Sequence, residues 1–103
     1  MSEANASKGN SFCFAYIIQC ADGSLYVGHT FNLRNRIKLH NSGCGALHTR
    51  IKGPVILVYS EKHINVLHAI QRELQIKKWS RAKKFALITG NTGLLRKLSQ
   101  SRD

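Results

Sequence analysis

The chain predicts an α+β fold: a small three-stranded antiparallel or mixed sheet flanked by helices, in the order ββαβααα. Three observations lead there. Phe12 to Cys20 is apolar on both alternating faces, the pattern of a strand buried inside a sheet. The turn signal Ala21-Asp22-Gly23-Ser24 is followed at once by a second strand-like run, Leu25 to His29. Beyond a third apolar run, Val55 to Tyr59, the spacing becomes helical and is punctuated by capping residues at Asn65, Ser80 and Gly90.

In the first strand Phe12, Phe14, Tyr16 and Ile18 lie on one face, and Cys13, Ala15 and Ile17 on the other. The hairpin that follows has two registers. A three-residue loop, Ala21 to Gly23 with Gly23 in the left-handed region, puts Tyr16 and Tyr26 on the same face. A tight Asp22-Gly23 turn puts them on opposite faces, and the turn residues alone do not choose between the two. Thr30 is placed to cap a short helix running to about Asn41, with Leu33 and Ile37 facing inward. Asn41 to Pro54 reads as a basic, glycine-containing loop.

Asn65 caps a helix from Val66 to about Trp79, whose buried stripe is expected to hold Val66, Leu67, Ile70 and Leu74. Ser80 caps the next helix, which stops at Gly90, and Thr92 to Ser99 makes a last short one. Residues 1–11 read as a disordered lead-in without the apolar core of a secretory signal, 12–99 as one domain, and 100–103 as a tail.

The composition narrows the function. Sixteen Lys and Arg against five Asp and Glu leave a net charge of +11 on 103 residues, which directs attention to a polyanion, first of all nucleic acid. A solvated basic protein is the plainer alternative. No apolar run approaches the roughly 20 residues of a membrane span. Three cysteines, Cys13, Cys20 and Cys44, without a C-x-x-C pair fit free thiols in a reducing, intracellular compartment, most simply the cytoplasm or nucleoid.

Chemistry-bearing residues cluster in the first half. Taken singly, Tyr16 and Tyr26 are ordinary strand packing residues with a polar tip, but Gly28 at the strand end leaves room for a close approach. Arg36 and His40, spaced i and i+4, leave the same helix face. A guanidinium can grip a phosphate bidentately and an imidazole can move a proton near neutral pH. Glu73 is one of few acids; with Lys77 at i+4 it could form a plain surface pair. If a divalent ion is held, Glu73 or Glu61 must supply the carboxylate. His40, Cys44 and His48 suggest zinc only weakly, because Gly43 and Gly45 break the spacing. Lys77, Lys78, Arg81, Lys83 and Lys84 surround Trp79 as a basic run able to follow a phosphate backbone, or as a solvated face.

Together these residues resemble the GIY-YIG endonuclease superfamily, particularly its small single-domain members, from about Phe12 to about Leu98. Tyr16 matches the tyrosine of the first motif, although Phe14-Ala15 departs from its Gly-Ile. Tyr26-Val27-Gly28 matches the second, and Leu33-x-x-Arg36-x-x-x-His40 the helix that carries the arginine. The stretches Asn41 to Arg50 and Gln75 to Lys84 look like those shared by small members, which puts Arg50, Lys77, Lys78, Arg81 and Lys84 among the expected nucleic-acid contacts. Glu73 falls where the family keeps its metal ligand. The resemblance implies Mg²⁺-dependent (or Mn²⁺-dependent) hydrolysis of a phosphodiester in DNA or RNA, in repair or processing. On this analogy Glu73 holds the ion, Arg36 stabilises the transition state, a tyrosine hydroxyl takes a proton from water, and His40 and His29 assist. Asn91 is a poor match to a late asparagine of the family. The alternative is a module of the same fold that binds nucleic acid without cutting it.

Overall fold

A computed structural model describes residues 12–42 and 54–100. Three strands, β1 (Cys13–Cys20), β2 (Leu25–Thr30) and β3 (Val55–His63), form one antiparallel sheet in the order β2-β1-β3. Four helices accompany it: α1 (Leu33–Ser42), α2 (Val66–Lys77), α3 (Arg81–Thr89) and α4 (Thr92–Gln100). The order is ββαβααα, as expected, and the doubly apolar β1 occupies the centre.

The hairpin takes the three-residue loop. Gly23 stands at φ +91°, its N–H donates to Cys20 O at 2.8 Å, and Cys20 N donates to Ser24 O at 2.8 Å. Asp22 Oδ1 fastens the turn by accepting from Ser24 N at 2.9 Å. Tyr16 therefore pairs with Gly28 and Ile18 with Tyr26, so the two tyrosines share a face. Between β1 and β3 the register slips at Ile17/Ile18, leaving Val58 as the extra residue of a bulge.

The two sheet faces carry separate clusters. Tyr16, Ile18, Cys20 and Val55 pack on one side with Tyr26 and with Leu33 and Ile37 of α1. Ile17 and Val27 pack on the other with Ile76 of α2 and with Trp79, Leu87 and Ile88 around α3. α4 rests against α3.

Several element expectations need correction. Asn32, not Thr30, caps α1: its carboxamide oxygen accepts from Asn35 N at 2.9 Å and its carbonyl from Arg36 N at 3.0 Å. The Thr30 hydroxyl instead accepts from Asn32 N at 3.1 Å, turning the chain out of the strand. β3 runs on to His63, because Glu61 and His63 satisfy each other at 2.8 Å on one face of the extension. α2 ends at Lys77 and is rotated from the expected stripe. Ala69, Glu73 and Ile76 are its buried residues, while Leu67 and Leu74 are 66% and 53% exposed. Asn65 and Ser80 cap as read, accepting from His68 N at 2.9 Å and Lys83 N at 3.2 Å, and Gly90 closes α3 at φ +75°.

Candidate active site at the β2 edge of the sheet

Tyr16 leaves β1 toward β2, and its ring passes over Gly28, its partner in the ladder. A Cβ atom built at position 28 would meet Tyr16 Oη at 2.7 Å and Cζ at 2.8 Å. The clearance that glycine provides is thus taken by a side chain of the protein itself. Tyr16 is only 1% exposed. Beside it, Tyr26 lies at 6.4 Å between ring centroids, tilted by 44°. His40, 5% exposed, meets the Tyr26 ring edge-on at 5.5 Å and brings Nε2 to 3.5 Å from Tyr16 Oη. At that length the last contact is at the outer limit of a hydrogen bond. Leu33 and Ile37 fix α1 against this aromatic group, so Arg36 and His40 are set by the packing of their own helix.

Burial pushes the Tyr16 phenol up to about 12, helped by Tyr26 and Glu73, while the Arg36 guanidinium hydrogen-bonds and pulls the other way. Tyr26 is also raised, chiefly by burial, with Lys77 and Arg36 opposing and Glu73 adding to the rise. Tyr26 is the half-exposed phenol of the two.

His29 and Glu73 come from the opposite face of the sheet. β2 is an outer strand, so groups from both of its faces can meet around its edge. Glu73, 9% exposed, accepts from His29 Nδ1 at Oε1 (2.5 Å) and from Lys77 Nζ at Oε2 (2.6 Å). Burial alone would raise this carboxyl; the hydrogen bonds and charges of Lys77 and His29 outweigh it and hold Glu73 below the usual carboxylate range. The link between the two groups is electrostatic: the charge of Glu73 bears on both phenols.

Tyr16, Tyr26, Arg36 and His40 are therefore brought together, with Glu73, His29 and Lys77 across the edge strand. Of the expected nucleic-acid residues, Lys77, Lys78, Arg81 and Lys84 lie among those described, each in its own surroundings. Arg50 lies outside the described residues, as do Cys44 and His48 of the zinc pattern. Lys77 sits on Glu73. Arg81 donates to Gly23 O at 3.1 Å in the hairpin turn and lies 4.7 Å over the Phe85 ring. Lys78 remains exposed and lines a shallow groove with Gln71, Leu74, Gln75, Trp79 and Lys83, and Lys84 is half-buried. Lys83 turns inward over Trp79 at 4.2 Å. Asn91 spends its carboxamide on capping α4, accepting from Leu94 N at 3.0 Å.

Glu61, the other carboxylate considered, is fully engaged. It accepts from the Tyr59 hydroxyl, from His63 Nε2 at 2.8 Å and from Arg72 Nε at 2.8 Å. What sequence reasoning missed is the inward rotation of Glu73. The available signal was the spacing Ala69-Glu73-Ile76, which places the acid within an apolar stripe.

The sheet thus carries two tyrosines, an arginine and a histidine toward one face of the β2 edge and an inward glutamate toward the other. Residues 12–86 match the family described as the GIY-YIG catalytic domain, and the chain belongs to this family of nucleases. A UPF0213 protein of Clostridium perfringens is 51% identical over 79 residues, covering 77% of this chain and 85% of that protein. One of Staphylococcus aureus is 44% identical over 75 residues, covering 73% of this chain and 92% of its own. The solution NMR structure of a UPF0213 protein from Bacillus halodurans is 40% identical, with a TM-score of 0.50 over 76% of this chain and 83% of that one. That of an E. faecalis protein is 37% identical, with the same TM-score of 0.50 over 71% and 78%. Among the described residues no helix is long and apolar enough to cross a membrane.

Proposed function

We propose that the protein is a Mg²⁺-dependent (or Mn²⁺-dependent) endonuclease that hydrolyses phosphodiesters in DNA, in repair or processing. The observation that carries this reading is the carboxylate buried at the β2 edge: Glu73 is 9% exposed and is held by His29, which stands on the same strand as Tyr26. A module that only grips a backbone has no use for a buried carboxylate in that neighbourhood.

Glu73 suits a hard cation. Among the described residues no three His, Cys, Asp or Glu converge, and Mg²⁺ at phosphate sites is commonly held by one or two carboxylates with water completing its shell. Oε2 faces a half-exposed ammonium that can move, and Oε1 is oriented by His29. When bound, such an ion supplies charge stabilisation and makes nearby water and hydroxyls more acidic. The chain's own residues do the rest. Arg36 grips the phosphate oxygens and offsets their growing charge. Tyr26, the half-exposed phenol, gives up its own proton to solvent and as the phenolate receives the proton of the attacking water; the cations Lys77 and Arg36 favour that phenolate against the rise that burial causes in its pKa. Tyr16 and His40 hold the wall against which Tyr26 and the phosphate are positioned. His29 keeps the carboxylate of Glu73 in place.

The test is a cleavage assay on single-stranded, duplex and branched DNA, and on RNA, with Mg²⁺, Mn²⁺ or a chelator. Metal-dependent products that vanish in Glu73→Gln are expected. Binding without cleavage on every substrate would favour the non-cutting module. Binding should also weaken with salt by about 0.9 decades of affinity per decade of salt for each phosphate contact.

A further inference from the structure

We propose that Lys77 is a built-in counter-ion that occupies the Glu73 carboxylate and competes with the divalent cation for it. This rests on the reading of Glu73 as the metal-holding residue, and goes beyond it by assigning the neighbouring lysine a part in setting metal affinity. The two oxygens of Glu73 are not alike. Oε1 receives Nδ1 of His29, and Oε2 receives Nζ of Lys77 at 2.6 Å. His29 hangs from a strand by two torsions and can go on donating through Nδ1 to a carboxylate that also binds a metal. Lys77 brings a full charge on a flexible four-carbon stem and is 46% exposed along its side chain, so it can leave for solvent at little cost.

The position of the carboxylate favours such an occupant beside His29. An unpaired anion that is 9% exposed would be strongly destabilising, and on the same helix Lys77 is the cation at i+4. A divalent ion must therefore displace the ammonium, and its observed affinity falls short of the intrinsic one by the strength of that pair. The charge of Lys77 also bears on Tyr26.

Mn²⁺ alone is the probe, titrated into the full chain and followed by the electron paramagnetic resonance of the free ion. Lys77→Met keeps the stem and helix propensity but removes the charge. It should bind Mn²⁺ about tenfold more tightly, one decade corresponding to about 1.4 kcal/mol. Lys78→Met removes the same charge one residue further on, from the groove beside Trp79, and should change the affinity by less than about threefold, roughly the part of a decade left to screened, unpaired charges. Glu73→Gln should lose the site. A gain in Lys77→Met no larger than that in Lys78→Met, or a loss, overturns the proposal while the Glu73→Gln result leaves the metal reading standing. Unchanged Mn²⁺ binding in Glu73→Gln overturns both.

Discussion

Tyr16 lies across Gly28 so closely that a Cβ atom there would stand 2.7 Å from its hydroxyl oxygen and 2.8 Å from Cζ. Both atoms belong to a buried, packed ring, so neither can yield without moving the aromatic group that includes Tyr26 and His40. Gly28→Ala should cost about 1–3 kcal/mol, the range for overpacking a well-filled site. In a Tyr16→Ala background the same change should cost much less, since the two atoms that collide are then gone. Denaturant unfolding of the four proteins of this cycle measures the coupling; additive costs would show that the ring does not depend on the glycine.

Glu73→Gln should abolish metal-dependent cleavage while DNA binding persists. Gln retains the volume and can still accept from His29, so the loss of stability should be modest, about 1–2 kcal/mol for charge-assisted hydrogen bonds. Several kcal/mol of transition-state stabilisation go with the ion, each 1.36 kcal/mol being about tenfold in rate. Cleavage within threefold of the parent under matched Mg²⁺ would remove Glu73 from the site.

Glu61→Gln should do the reverse. Glu61 accepts from Tyr59, His63 and Arg72, and Arg72 in turn lies 5.2 Å over the Trp79 ring, so this cluster ties β3 to α2. Losing its charge should lower stability by about 1–3 kcal/mol and leave the cleavage rate near that of the parent. A cleavage loss matching that of Glu73→Gln would contradict the division of labour between the two acids.

The same two carboxylates set the acid limb of stability. For each, burial raises the carboxyl but hydrogen bonds from its neighbours outweigh it, so the folded value lies below the unfolded one. Their contribution is therefore complete above the unfolded carboxylate value of about 4.3 and is lost as the pH falls through the folded value. The midpoint of urea unfolding should drop more shallowly on acidification in either Gln variant than in the parent. Equal slopes would mean that the pairs contribute nothing in solution.

The three tyrosines should ionise unequally at high pH. Burial is the leading cause in all three, but Tyr16 and Tyr59 are pushed up to about 12, whereas the half-exposed Tyr26 is raised less. Since neutral phenols are favoured in the fold, their contribution is full below about 10 and fades as the pH climbs toward the folded values. Tyr26→Phe should remove the earliest step of the tyrosinate absorbance titration; loss of a later step would assign the accessible phenol to another residue.

Much of this arrangement is legible in the chain. The doubly apolar β1 had to be central, because only a strand covered on both faces can bury alternate residues on each side. Asn65, Ser80 and Gly90 capped their helices because local hydrogen bonding and a left-handed φ are properties of a few adjacent residues. Helix period alone put Arg36 and His40 on one face, and the resemblance to known motifs joined them to Tyr16 and Tyr26. Three-dimensional packing decided the remainder. The turn residues allowed two registers, and only the assembled sheet, with Gly23 at φ +91°, chose the one that joins the tyrosines. Helical period put Leu67 and Leu74 inside and left Glu73 open between a surface pair with Lys77 and a place in the site; packing chose burial, which an acid tolerates only where a partner waits for it. That partner, His29, stands 44 residues earlier on β2, and no local pattern records a contact made across the fold.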